Sequence, residues 1–156
     1  MKASEIPQEY ADAIGRLLFR AYEIHDRVLL RGGGGIEGIR DAAMLHAAIA
    51  RPFATFYGSD LYPSDFEKAA ALFHSLIKSH PFMDGTKRTA FATTLYFLSE
   101  RGYAPRKPLP KGEVIRRCVE LAEEESRREA GEDVRPMTVT EIAEWLETLV
   151  GRFGES

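Results

Sequence analysis

Residues 80–98 read HPFMDGTKRTAFATTLYFL, and the way this stretch divides decides the fold. Its first part, His80 to Arg88, sets an imidazole, a carboxylate, a glycine and two cations side by side. Its second part, Ala90 to Leu98, is an apolar run carrying Ala90, Phe91, Ala92, Leu95, Tyr96, Phe97 and Leu98. A helix that is apolar on nearly every face is surrounded by other helices. The run therefore predicts a central helix over 86–101, closed by Gly102. A helix that starts at Thr86 or Lys87 turns its free backbone N–H groups and the positive end of its dipole toward the preceding loop, a favourable place for an anion.

Upstream, Ser64-Asp65-Phe66-Glu67 is a capping box, which predicts a helix over 65–79. Its apolar stripe is Phe66, Ala69, Ala70, Phe73, Leu76 and Ile77, and the same spacing reaches His80, so the imidazole is expected to leave the helix on its buried side. The segment Phe53-Ala54-Thr55-Phe56-Tyr57-Gly58 mixes aromatics with threonine and suits an extended flap, with room for a small β-hairpin. A short helix over 40–50 is expected to stop before Pro52. Before it, Ile6, Tyr10, Ile14, Leu17, Ala21, Ile24 and Val28 form the stripe of a first helix, with Ser4 as N-cap and Pro7 in the first turn. The glycines from Gly32 to Gly35 end that helix. They are not read as a phosphate loop, because no Gly-Lys-Ser/Thr follows and no strand precedes.

Downstream, Pro105, Pro108 and Pro110 make a stiff connector to a helix over 112–130. Val114, Ile115, Cys118, Val119 and Ala122 are expected inward, and the charge run from Glu123 to Glu129 is expected to be solvated. A second capping box, Thr138-Val139-Thr140-Glu141, opens a last helix whose stripe is Ile142, Trp145, Leu146, Leu149 and Phe153. With no repeat and no linker, residues 1–156 are expected to form a single all-α domain, a bundle of about six helices around one central apolar helix.

Composition narrows the partners. A chain of 156 residues, 44% apolar and 29% charged, belongs with soluble globular proteins. Its net charge of −3 and pI near 5.8 argue against direct nucleic-acid binding over a broad surface. No apolar run approaches the ~20 residues that span a bilayer, and the N-terminus lacks the pattern of a signal peptide, so no membrane is expected. Cys118 is the only cysteine, which excludes an intrachain disulfide and suits the reducing cytoplasm.

Chemistry concentrates in the loop. Gly85 lets the backbone approach a ligand closely, Lys87 and Arg88 add positive charge, and the Arg88 fork matches phosphate oxygens. Asp84 makes sense in that company as a Mg²⁺ ligand, since Mg²⁺ is commonly held by a carboxylate beside bound phosphates. His80 is the neighbouring group able to take a proton at neutral pH. Taken one at a time, the same residues have structural readings: His80 as a helix C-cap, Asp84 as an N-cap, Lys87 and Arg88 as surface charges. Phe82 is core packing under either reading. His25, His46 and His74 lack metal-ligand spacing and are taken as structural or surface residues.

His80, Phe82, Asp84, Gly85, Lys87 and Arg88 together resemble the motif of the Fic/Doc family, H-x-F-x-D/E-G-N followed by G-R in Fic-type and K-R in Doc-type members. HSLIKSHPFMDGTKRTA and the upstream GIRDAAMLHAAIARPFATFYGSDLYP both resemble Doc-type, death-on-curing toxins. The resemblance implies that His80 is the base for a target hydroxyl, Asp84 holds Mg²⁺, and Gly85, Thr86, Lys87 and Arg88 surround the phosphates of ATP, with Phe82 anchoring the loop. It implies transfer of the terminal phosphate of ATP to a protein hydroxyl, a threonine of elongation factor Tu, with inhibition of translation. The alternative within the family is AMP transfer, against which Lys87 and Phe91 both speak. Thr86 stands where the family has asparagine, which implies weaker activity or a binding-only member. A Phd-type antitoxin is the implied partner. Thr140 and Glu144 have the spacing of the family's self-inhibitory S/T-x-x-x-E-G/N, but Trp145 breaks it. The flap, with Phe53, Thr55, Phe56 and Tyr57, is where a target segment is expected to dock by strand addition.

Overall fold

A computed structural model describes residues 6–32, 35 and 37–154. Among them, six α-helices carry the fold: α1 (Gln8–Arg31), α2 (Ala42–Ala50), α3 (Asp65–Ser79), α4 (Thr86–Glu100), α5 (Lys111–Glu129) and α6 (Val139–Leu149). Two short antiparallel pairs complete it, β1 (Thr55–Phe56) with β2 (Ser59–Asp60) and β3 (Tyr103–Pro105) with β4 (Val150–Arg152). The all-α class holds. None of these helices is long and apolar enough to cross a membrane.

Both capping boxes form as their sequences dictate. Ser64 Oγ accepts from Glu67 N at 3.1 Å and Thr138 Oγ1 accepts from Glu141 N at 3.1 Å, each satisfying a free donor of the first turn. Asp41 caps α2 in the same way, accepting from Met44 N at 3.0 Å, so that helix begins two residues later than expected. Pro7 is the N-cap of α1 and lies just outside its first turn. The expected cap Ser4 lies outside the described residues.

The centre of the bundle is α3, one element earlier than the sequence suggested. Lys68 to Phe73 are buried without a break, and Ser75, Leu76 and Ile77 follow. Its run Ala69-Ala70-Ala71, fully buried, lets neighbouring helices approach from several sides, and α2, α4, α5 and α6 all pack on it. In α4, by contrast, Phe91, Ala92, Leu95 and Tyr96 stay half-buried. Its inner face carries Thr89, Thr93 and Thr94, and Thr94 Oγ1 donates back to Ala90 O at 2.8 Å. The aromatic core joins the two helices to α6 through Phe73, Phe91 and Trp145.

Several side-chain placements differ from the periodicity. In α5, Ile115 is exposed (63%) and Ala122 faces solvent, while Leu121 is fully buried. Glu124, inside the charge run expected to be solvated, is buried. It pairs with Lys78 of α3 at 2.5 Å and accepts from Met137 N at 2.6 Å. Phe153 leaves the α6 stripe and is exposed, because the chain turns into β4 and pairs with β3.

The expected docking flap is exposed only in part. Phe53 sits in a single 3₁₀ turn, Arg51–Phe53, and is buried in the core, and Thr55 is buried as well. Phe56 and Tyr57 are exposed and stack edge to face at 4.4 Å. The β1–β2 hairpin is anchored at the N-terminal end of α3, where Asp60 receives Tyr10 Oη at 2.9 Å and Lys68 Nζ at 3.1 Å. The hairpin thus lies toward the end of α3 that is away from His80. Of the four residues expected to take a target segment, Phe56 and Tyr57 are exposed, whereas Phe53 and Thr55 are buried.

Candidate active site

The loop 80–85 is held by three neighbours. Helix α3 ends at His80, whose backbone is left-handed (φ 47°, ψ 58°) and whose N–H bonds to Leu76 O. This conformation turns the chain sharply and exposes the imidazole, so His80 leaves the helix into solvent rather than on the buried side. Arg40 covers the helix end: its Nε donates to His80 O at 2.8 Å and its Nη2 to Ser79 O at 2.7 Å. A cation at a helix C-terminus complements the dipole there.

The second neighbour is the chain from Gly38 to Asp41. Ile39 forms an antiparallel bridge with Phe82, Met83 N donates to Gly38 O at 3.1 Å, and Pro81 O accepts from Arg40 N at 2.7 Å. This segment, and not the β1–β2 hairpin, is the extended backbone alongside the loop. Phe82 is fully buried, as its reading as an anchor required.

The third neighbour is the C-terminal half of α1. His25 is buried, stacks on Phe82 with ring centroids 4.0 Å apart, and has Nε2 2.8 Å from Asp84 O. The sequence puts His25 among the structural or surface residues, and here it is structural. The signal was its place four residues after Ala21 and four before Leu29, which makes it a ring on the buried stripe of α1. Arg40 gives no comparable sign, because its partners arrive only when distant segments meet.

Gly85 then caps α4 in a left-handed conformation (φ 75°), and a Cβ there would meet Val28 Cγ1 at 3.3 Å and Leu29 Cδ2 at 3.4 Å. Glycine suits the position on both counts. Gly85 N donates to Asp84 Oδ1 at 2.8 Å, so the carboxylate already folds over the start of α4. Arg88 reaches back along α1, with Nη1 3.4 Å from Val28 O, and occupies the place where a side chain on Gly32 would begin. The helix stop at Gly32 is therefore also a clearance for Arg88.

His80, Asp84, Gly85, Lys87 and Arg88 border one cleft of about 430 Å³, whose other wall is Phe91 with Val114, Ile115 and Cys118 of α5. One end is charged and the other apolar. Thr86 borders the cleft too, but its side chain is buried and its Oγ1 has no hydrogen-bond partner, so the hydroxyl is not presented to a ligand. What position 86 offers is a backbone N–H at the start of α4.

Electrostatics favour a neutral imidazole. Partial burial, then Arg40 and Lys87, hold the His80 pKa below the usual histidine value, and Asp84 opposes them only in part. Burial pushes the Cys118 thiol up to about 11, with Lys87 acting the other way. His74 lies apart from the cleft: burial, then Arg51 and Lys78, bring it down to about 4, and its Nδ1 is 2.8 Å from Arg51 Nη1. His46 is exposed on α2.

For Mg²⁺ the donor set is informative. Among the described residues no cluster of three histidine, cysteine or carboxylate side chains exists to cage a metal. Asp84 alone fits the mode in which Mg²⁺ takes one carboxylate from the protein and completes its octahedron with substrate phosphates and water.

Residues 18–98 match the sequence profile of the Fic/DOC family. A stretch of 69 residues, 44% of this chain, is 51% identical to Toxin Doc of Mycolicibacterium smegmatis (strain ATCC 700084 / mc(2)155) and covers 53% of that protein. The match thus spans about half the length of the relative.

Proposed function

Because the chain belongs to the Fic/Doc family, we propose that it is a Doc-type toxin that transfers the terminal phosphate of ATP to a protein hydroxyl, with a threonine of elongation factor Tu as the target and arrest of translation as the result. The observation that carries this reading is the convergence of His80, Asp84, Lys87 and the N-terminus of α4 on one cleft.

The reaction assigns each group a task. The target hydroxyl oxygen attacks the γ-phosphorus, the bond from that phosphorus to the β,γ-bridging oxygen breaks, and ADP leaves. His80, its pKa held down by partial burial and by its cationic neighbours, takes the hydroxyl proton. The free N–H groups at the start of α4 and the Lys87 ammonium bear on the phosphate oxygens. Arg88 has to leave the end of α1 to add its fork. Asp84 would hold Mg²⁺, which when bound spreads the charge that develops between the phosphates. The apolar wall of Phe91, Val114 and Ile115 leaves a dry surface for the rest of the nucleotide. A Phd-type antitoxin is the partner this reading supplies.

Incubation with elongation factor Tu, Mg²⁺ and ATP labelled at either the γ- or the α-phosphate tests it. Label on the factor from the γ-position is the expected result. Label from the α-position alone would replace kinase activity by AMP transfer, and no label from a folded protein would overturn the assignment of target and chemistry.

A second reading rests on Thr86. Its hydroxyl is buried and unpartnered, so one contact to phosphate that an amide would make is missing. A site weakened in this way acts slowly or through binding alone. In that case His80→Ala leaves the biological effect of the protein unchanged, whereas loss of toxicity on that substitution excludes the reading.

A further inference from the structure

We infer that the outer face of α1 is a two-fold interface at which two copies of this chain pair antiparallel. Along that face run Ala11, Gly15, Phe19, Tyr22, Asp26 and Leu30, at helical spacing and all exposed. Phe19 is 63% exposed and Leu30 80%. Single exposed apolar side chains are ordinary, but here three large ones share one stripe with two small residues.

The stripe is complementary to itself. In an antiparallel pair whose two-fold axis passes between Phe19 and Tyr22, Phe19 meets Tyr22 of the other copy. Gly15 then meets Asp26, and Ala11 meets Leu30. Each bulky or charged group faces a small one, except at the centre, where two aromatics meet across the axis. This is the layer pattern of antiparallel helix packing, and a two-fold interface requires the same patch on both partners.

The charges beside the stripe repeat the match. Asp12, Arg16, Glu23 and Arg27 form a row one residue C-terminal to the small and aromatic positions. In the same antiparallel register Asp12 is level with position 29 and Arg16 with position 25 of the other copy, which brings Asp12 within two residues of Arg27 and Arg16 within two of Glu23, twice each by symmetry. Within the chain, Arg20 pairs with Glu23 at 2.8 Å, and among the described residues Asp12, Arg16 and Arg27 form no ion pair. A parallel pairing would set like charges together.

Gly15 supplies an independent sign. Glycine weakens a helix interior, and a Cβ added at Gly15 would meet no atom within 4 Å. Nothing in the monomer asks for glycine there. A second helix approaching at that point does.

Sedimentation velocity on the full chain, from about 1 to about 200 µM, covers the affinities expected of a modest interface. The expected result is a mass that rises to that of two chains. Phe19→Glu should weaken association at least about tenfold. Gly15→Leu should raise the melting temperature of the monomer and still weaken the dimer, which separates an interface effect from unfolding. Arg16→Glu and Glu23→Arg should each weaken association, and the double reversal should restore it. A wild-type chain that stays monomeric throughout, a dimer indifferent to Phe19→Glu and Gly15→Leu, or a double reversal no better than its parents would each overturn the inference.

Discussion

The two ends of α3 are built from similar residues to opposite purposes. At its N-terminal end a buried cation is fully answered: Lys68, buried at 3% exposure, donates to Asp60 and to Tyr62 O and lies over the Tyr10 ring. At its C-terminal end Lys87 has no hydrogen bond or ion pair among the described residues, His80 is exposed, and Arg88 rests on a long contact of 3.4 Å. One end uses polar groups to close the structure, and the other leaves them unspent beside a cleft. Satisfied networks mark where stability lies, and unsatisfied cations mark where a ligand is awaited.

If that contrast is sound, substitutions at the two ends should separate activity from stability. The largest effect belongs to the open end. His80→Ala should lower phosphate transfer by about 10²–10⁴-fold, the range of a general base, measured with γ-labelled ATP, while the melting temperature holds or rises. A smaller loss would show that the imidazole is not the base. At the closed end, Lys68→Ala should cost about 1–3 kcal/mol of stability in urea unfolding, because it leaves the half-buried Asp60 without its cation, and activity per folded molecule should persist.

The closed end also has a pH signature. Burial would raise the Asp60 pKa, but the hydrogen bonds from Lys68 and Tyr10 and the Lys68 charge win and lower it. Stability from Asp60 is therefore present above its unfolded value of about 3.8 and is lost as pH falls through its lower folded value.

Thr86→Asn sharpens the comparison by adding a contact at the open end. A hydrogen bond to a charged group is worth about 1.5–3 kcal/mol, so transfer should rise about ten- to a hundredfold if the bond acts in the transition state. No gain in steady-state rate would mean that the buried hydroxyl is not what limits the site. His25→Phe keeps a ring against Phe82 and removes the bond to Asp84 O. It should cost about 0.5–1.5 kcal/mol, the net worth of one hydrogen bond, in chemical unfolding.

The smallest effect is a displacement on the pH axis. A base must be neutral to act, and the His80 pKa is depressed by burial, Arg40 and Lys87. Its activity should hold down through the ordinary histidine value near 6.5 and fall only below it. In Arg40→Gln the acid limb of kcat/KM should move back up toward that value. An unmoved limb would detach Arg40 from the electrostatics of the site.

What could be read in advance follows from how far apart the interacting residues lie. The capping boxes at Ser64 and Thr138 are four residues long and form as written. The stripe of α3 and the chemistry of residues 80–88 are local in the same sense, and the loop did turn into a helix at Thr86. Features that join distant segments left no local trace: the β3–β4 pairing, the bridge from Ile39 to Phe82, and Glu124 drawn inward by Lys78. The aromatic composition of the flap foretold an extended hairpin, and one forms, but composition does not say which end of α3 a hairpin lies against. Helix α4 reads as the centre because apolar residues fall on nearly every face of it. Centrality went to α3, whose small alanines let neighbours come close.

The backbone at position 80 carries a last consequence. A left-handed conformation is readily adopted by glycine and is uncomfortable for a residue with a side chain, by roughly 1–2 kcal/mol. Histidine occupies it at φ 47°. The fold by itself therefore favours glycine there, and a lineage relieved of its chemistry would gain stability by drifting to it. Whether position 80 keeps its imidazole across related chains is thus a gauge of selection for activity, independent of any assay.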